Sequence, residues 1–167
     1  MPPKHFSWDP IAEARRQWAA HGWRGASSGM AAVTSIMRAR QILLARAEVA
    51  LQPYGITFSR YEVLMLLYFS RSGQLPMKKL GQRLQVHPAS ITNAMEKLVG
   101  ADLVRREPDP NDGRSALIAL TPKGRELALG ATETINREVF ESLGLAPDRL
   151  AQLFDILSEL RADAGDF

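Results

Sequence analysis

The chain has 167 residues, 46% apolar and 23% charged, so it can bury a core and is not disordered by composition. It contains no cysteine, which excludes a disulfide framework and any thiolate metal site. The net charge of +3 hides an uneven distribution: nine Lys/Arg stand against four Asp/Glu in residues 1–75, nine against five in 76–125, and three against nine in 126–167. A basic front and middle with an acidic tail is a polar molecule, and the basic part suits a nucleic-acid partner. Met1 to Trp8 lacks the apolar core of a secretory signal, and Arg38, Arg40 and Arg46 interrupt the longest candidate membrane span. A soluble cytoplasmic protein without a membrane partner is expected.

Asp9-Pro10 reads as an N-cap followed by proline at the first helical position, opening a helix to about Gly22 with Ile11, Ala14 and Trp18 at helical spacing. Gly22, Gly25 and Gly29 loosen the chain before a long helix, roughly Ser28 to Leu51, whose apolar face is Val33, Ile36, Met37 and Leu44. Pro53 and Gly55 end it. A third helix starts at Thr57 or Ser59, with Ser59 and Glu62 at capping-box spacing and Val63, Leu64, Leu67 and Tyr68 facing inward. Pro76 opens a short helix in which Met77, Leu80 and Leu84 recur at helical intervals, and Gly81 suits a close helix crossing. Gln85-Val86-His87 is a short turn, and Pro88 starts a helix with Ile91, Met95 and Leu98 on one stripe. Leu103 to Arg106 and Ser115 to Leu120 read as two strands joined by a turn-rich loop, Pro108 to Gly113. Thr121-Pro122 caps a helix running to about Leu143, and Pro147-Asp148 begins the last one.

A small helix, a tight turn, a second helix with a polar outer side, then a hairpin with a charged tip make a winged helix-turn-helix. The fold expected is mainly α with a small β-hairpin wing, flanked by N- and C-terminal dimerisation helices. Four segments follow: an extension helix in 1–27, a dimerisation helix in 28–55, the DNA-binding lobe in 56–120 and C-terminal dimerisation helices in 121–167. Leu127, Ala131, Ile135 and Val139, with Leu153, Phe154 and Leu157, supply an apolar face for a homodimer.

A recognition helix must bury one side and offer the other to base edges in the major groove. Ser90, Thr92 and Asn93 are small polar groups near the helix start, and Asn93 can pair bidentately with adenine. Pro88 and Ala89 suit a thymine methyl, while His87, Lys78, Lys79 and Lys97 suit phosphates. At the hairpin tip Gly113 permits the turn, Arg114 can project into a narrow minor groove, and Asp112 can hold its guanidinium. Double-stranded DNA is the partner these residues suit.

The run Leu80-Gly81-Gln82-Arg83-Leu84 resembles the MarR (multiple antibiotic resistance regulator) family, as do Leu103-Val104-Arg105-Arg106, Asp109-Pro110-Asn111-Asp112-Gly113-Arg114 and Leu120-Thr121-Pro122-Lys123-Gly124. The resemblance spans roughly residues 30–160. It implies a homodimeric transcriptional regulator on a pseudo-palindromic operator, with Pro88 to Val99 as recognition helix and Arg114 in the minor groove. It also implies a repressor that releases DNA when a small anionic or aromatic effector binds between the dimer interface and the DNA-binding lobe. The extra first helix is similar to the urate-responsive branch, in which Trp18, Arg106 and Glu62 take effector-binding roles. Ala94 stands where that branch carries an arginine, which counts against urate itself.

Trp18 and Trp23, with Arg106, suit an anionic aromatic effector, and interface packing accounts for the tryptophans as well. His5, His21 and His87 lack metal spacing, so neither metal nor cofactor is expected. No phosphate loop, paired-histidine zinc motif or nucleophile elbow points to an enzyme. The other class to weigh is a winged-helix module that binds protein; its surface has no need of Lys78, Lys79, Lys97 and Arg114.

Overall fold

The computed structural model describes residues 6–85, 88–110 and 116–167, with 88–90 described by backbone alone. Helix α1 (Pro10–Ala20) starts as the sequence suggests: the Asp9 carboxylate accepts the Ile11 N–H at 2.9 Å, with proline at the first position. Gly22, at φ +90°, turns the corner into α2 (Arg24–Leu51), and the rings of Trp18 and Trp23 meet there with centroids 5.2 Å apart. The long helix therefore begins four residues before the expected Ser28. Gly25 and Gly29 lie inside it, since packing of α1 on α2 offsets a propensity cost of about 1 kcal/mol per glycine. At 28 residues, α2 is about 42 Å long.

Helix α3 (Phe58–Phe69) forms without the expected Ser59–Glu62 capping box. Its first N–H, on Phe58, donates to Glu48 Oε1 of α2 at 3.0 Å, so a carboxylate from another helix replaces the local cap. A strand absent from the sequence reading follows, β1 (Gln74–Pro76), then α4 (Met77–Leu84) and α5 (Pro88–Gly100). The hairpin strands are β2 (Val104–Pro108) and β3 (Ala116–Leu120), and β3 is central in an antiparallel sheet of order β1-β3-β2. Leu75 and Arg106 both lie opposite Ile118, and Val104 opposite Leu120.

Helix α6 (Pro122–Ile135) gives way to a five-residue π-helical turn, Asn136–Phe140, where a single helix to Leu143 was expected. The Arg46 guanidinium from α2 donates to the carbonyls of Glu138 and Ser142 at 3.0 and 2.9 Å, satisfying groups that the helix end leaves open. Helix α7 (Pro147–Asp163) closes the chain, and none of its residues is buried.

The core joins Ala47, Ala50 and Leu51 of α2 with Val63, Leu64 and Leu67 of α3, Leu80, Met95, Leu98, Ile118 and the inner side of α6. Each fully buried leucine contributes roughly 1.5–3 kcal/mol. The α6 side assigned to dimerisation belongs to this core: Ala131, Ile135 and Val139 are at most 3% exposed, and Leu127 packs against them. The reason is that α6 must cover both α2 and α3 within its own chain. Tyr54 ties the two sets of helices together, its hydroxyl donating to Gly130 O at 2.6 Å and lying 2.7 Å from Thr134 Oγ1. Tyr61 OH and Thr132 Oγ1 meet at 3.1 Å alongside.

The Leu-Thr-x-x-Gly run anchors the sheet to α6. Thr121 Oγ1 accepts the Gly124 N–H at 2.9 Å and donates to Asp102 O at 2.8 Å. A Cβ on Gly124 would lie 1.9 Å from Leu103 O, so only glycine lets the helix approach the α5–β2 turn. Gly81, by contrast, faces open space, and the close crossing expected there is absent.

Candidate nucleic-acid interface

Helix α5 divides as a surface-reading helix must. Ile91, Met95 and Leu98 are at most 5% exposed and hold it on α3, α4 and β2. Thr92, Asn93 and Lys97 lie on its exposed side. Glu96 shares that side, an acid among the donors and cations expected there and not signalled by helical spacing alone. Lys78 and Lys79 are exposed on α4, next to the same surface. Gln85 takes the left-handed conformation at φ 52°, which ends α4. Its side-chain amide donates to Asp166 O and Oδ1 at 3.2 and 2.8 Å, so the segment after α7 touches the end of α4.

At the far end of α5, Asp102 adopts φ 58°, and Leu103 N–H donates to Leu98 O at 3.0 Å, feeding the chain into β2. The side chains of Pro88, Ala89 and Ser90, together with His87, Asp112 and Arg114, lie outside the described residues. Arg105 and Glu107 pair along β2, and Arg106 is exposed between them.

The four residues expected to bind an effector are spread over three parts of the chain. Trp18 and Trp23 sit at the α1–α2 corner, Glu62 on α3 and Arg106 on β2. Two cavities of about 510 and 330 Å³ are lined by none of these four. Partial burial raises the Glu62 carboxyl above the usual carboxylate range. Glu13 on α1 is lowered, first by a hydrogen bond from Gln17 and then by Arg16. His21 caps α1, with Nδ1 2.8 Å from Gln17 O. Among the described residues no group of three His, Asp or Glu is placed to hold a metal. No helix of the described residues is long and apolar enough to cross a membrane.

The helix pair α4–α5, packed on α3 and followed by the β2–β3 hairpin, defines a winged helix-turn-helix protein. The MarR family model matches residues 56–116. The chain is similar to Sco5413, a MarR family transcriptional regulator from Streptomyces coelicolor: 46% identity, TM-score 0.77, covering 84% of this chain and 97% of that one. It is similar also to Sco3205 of the same organism, solved in complex with DNA, at 25% identity and TM-score 0.70, covering 80% and 88%. The HTH-type transcriptional regulator YhbI of Bacillus subtilis is 36% identical over 80 residues, 48% of this chain, and the chain spans only about half (51%) of that relative's length. The chain belongs to the MarR family of transcriptional regulators.

Proposed function

We propose that the chain regulates transcription as a homodimer that reads a two-fold-related operator with α5 in the major groove and the β2–β3 wing in the adjacent minor groove. The observation that carries this reading is the division of α5, with Ile91, Met95 and Leu98 buried while Asn93 and Lys97 face outward on an exposed helix. Sco3205, a relative of the same fold, has been solved on DNA. Asn93, Ser90 and Thr92 take the base edges, Lys78, Lys79 and Lys97 the phosphates, and Arg114 the narrow groove.

Dimerisation is supported by the apolar side chains left outward on the terminal helices. Met37 is 62% exposed on α2, and Phe154 and Ile156 are 68% and 62% exposed on α7. A surface of this kind marks an interface. It lies on α2 and α7, whereas the α6 residues first assigned to it are core. A small anionic or aromatic effector that lowers DNA affinity completes the reading, and CouR of Rhodococcus jostii, solved with p-coumaroyl-CoA, is a family-fold relative at 27% identity.

The test is a mobility-shift titration of the purified chain, at several salt concentrations, with duplexes it retains from its own genome and with random duplex. Selective binding that weakens linearly in log–log salt is expected. Equal affinity for both duplexes, or none for either, overturns the proposal.

A further inference from the structure

Asp166, in the segment after α7, gathers a network that neither core packing nor the proposed DNA contacts require. Its Oδ2 accepts from Arg161 Nε at 2.6 Å, and its Oδ1 accepts from Gln85 Nε2 at 2.8 Å. Its main-chain carbonyl takes a second bond from the same amide at 3.2 Å, and its N–H donates to Arg161 O at 3.0 Å. Gly165, at φ +72°, folds the chain back so that these groups meet, and the Arg161 guanidinium lies over the Phe167 ring, 5.0 Å from its centroid. The segment is thereby organised around one carboxylate, whose side chain is only 30% exposed. Gln85 stands 81 positions away, at the end of α4, with a left-handed backbone in which glycine is unstrained and glutamine is not. Glycine would suit that helix end better, so what Gln85 adds is its amide, and the amide goes to Asp166.

None of the residues of α7 is buried, so packing within the chain does not fix this helix against the DNA-binding lobe. The hydrogen bonds from Gln85 supply a connection. The same helix carries Phe154 and Ile156, part of the exposed apolar face of the proposed dimer. We infer that Asp166 is a positioning residue: by clasping Gln85 it ties the α4–α5 pair to the dimer helices, and so makes the homodimer discriminate between half-site spacings. The discrimination rests on the proposed function; the clasp itself does not. One added base pair moves a half-site by about 3.4 Å and turns it by about 35°. Shared between two lobes, the shift is about 1.7 Å each, which carries a 2.8 Å hydrogen bond out of reach. A wrong spacing therefore opens the clasp, and the free energy of the clasp becomes discrimination. A hydrogen bond to a shielded charge is worth about tenfold or more. Gln85 is exposed and water competes for its amide, so about three- to tenfold per clasp is expected.

Two measurements on the full chain test this. The chain has no cysteine, so Gln85→Cys with Asp166→Cys introduces the only thiols, and a short bis-maleimide reports their proximity without DNA. A cross-link within one chain is expected on a denaturing gel. No cross-link in a protein with a wild-type circular dichroism spectrum, or cross-links between chains alone, overturns the clasp. The second measurement is a mobility-shift titration with a duplex that the chain retains from its own genome, and with the same duplex lengthened or shortened by one base pair between its half-sites. Wild type should favour the native spacing, and Asp166→Ala and Gln85→Gly should each cut that preference by at least about threefold, with a smaller change in affinity for the native spacing. Gln85→Gly is the sharper variant, because it relieves the left-handed backbone and removes only the side chain. Wild-type preference in either folded variant, or an equal loss of affinity at every spacing, overturns the positioning role; if one variant fails to fold, the other decides. Failure of the cross-link leaves the DNA reading standing. A wild-type chain that binds no duplex selectively overturns the DNA reading and the positioning role with it, and the cross-link alone then decides the clasp.

Discussion

Substituting Gly124 by alanine tests the anchoring of the wing to α6. In an open helix the change is favourable by about 1 kcal/mol, because alanine has the higher helix propensity. Here the added Cβ falls 1.9 Å from Leu103 O and 2.8 Å from Leu103 C, about 1 Å inside any approach that real Cβ atoms make. The obstacle is backbone, so no rotamer can yield, and α6 must move away from the α5–β2 turn. That displacement weakens the Thr121 cap (Gly124 N–H to Thr121 Oγ1, 2.9 Å), about 1 kcal/mol. It also weakens the Thr121 N–H to Leu103 O bond of 3.2 Å, again about 1 kcal/mol. Overpacking strain adds about 1–3 kcal/mol. Less the propensity gain, the net destabilisation is roughly 2–4 kcal/mol. At roughly 2–4 °C per kcal/mol for a chain of this size, Tm should fall by about 5–15 °C. The assay is thermal unfolding by circular dichroism at one protein concentration, because the proposed homodimer makes Tm concentration-dependent. Gly81→Ala is the control, since its Cβ meets open space, and it should gain about 0.5–1 kcal/mol. A Gly124→Ala protein as stable as wild type would refute the argument that close approach requires this glycine.

Glu48→Ala removes the acceptor of the Phe58 N–H and should cost about 1 kcal/mol by urea unfolding, whereas Ser59→Ala should stay within about 0.5 kcal/mol; the reverse order would restore the local capping box. Asn93→Ala should lower operator affinity by about 1–3 kcal/mol and random-duplex affinity far less, and equal losses would show that α5 touches only the sugar-phosphate backbone. Arg114→Ala should reduce the slope of log affinity against log salt by about one per monomer while sequence preference persists; an unchanged slope in a folded protein removes the minor-groove role. Phe154→Glu places a charge in the exposed apolar face of α7 and should shift sedimentation toward monomer at micromolar concentration, with a stable dimer ruling that face out of the interface.

Local chemistry was legible in the sequence wherever one segment decides its own conformation. Asp9-Pro10 and Thr121-Pro122 start helices as they stand, because the cap acceptor and the preset proline φ are both local. The stripe Ile91, Met95 and Leu98 pointed to the buried side of α5, and hence to the outward side of Asn93 and Lys97, because helical periodicity follows from chain geometry alone. The aspartate–arginine loop and the Leu-Thr-x-x-Gly run carried the family resemblance for the same reason. Tertiary structure decided what depends on a distant partner. Glu48 replaced the Ser59–Glu62 cap because α2 brings a carboxylate to the end of α3. Three residues ending in proline became a strand because β3 offers β1 an open edge. Ala131, Ile135 and Val139 are apolar at helical spacing in either case, and only the fold shows that α2 and α3 of the same chain cover them, leaving α2 and α7 to face outward.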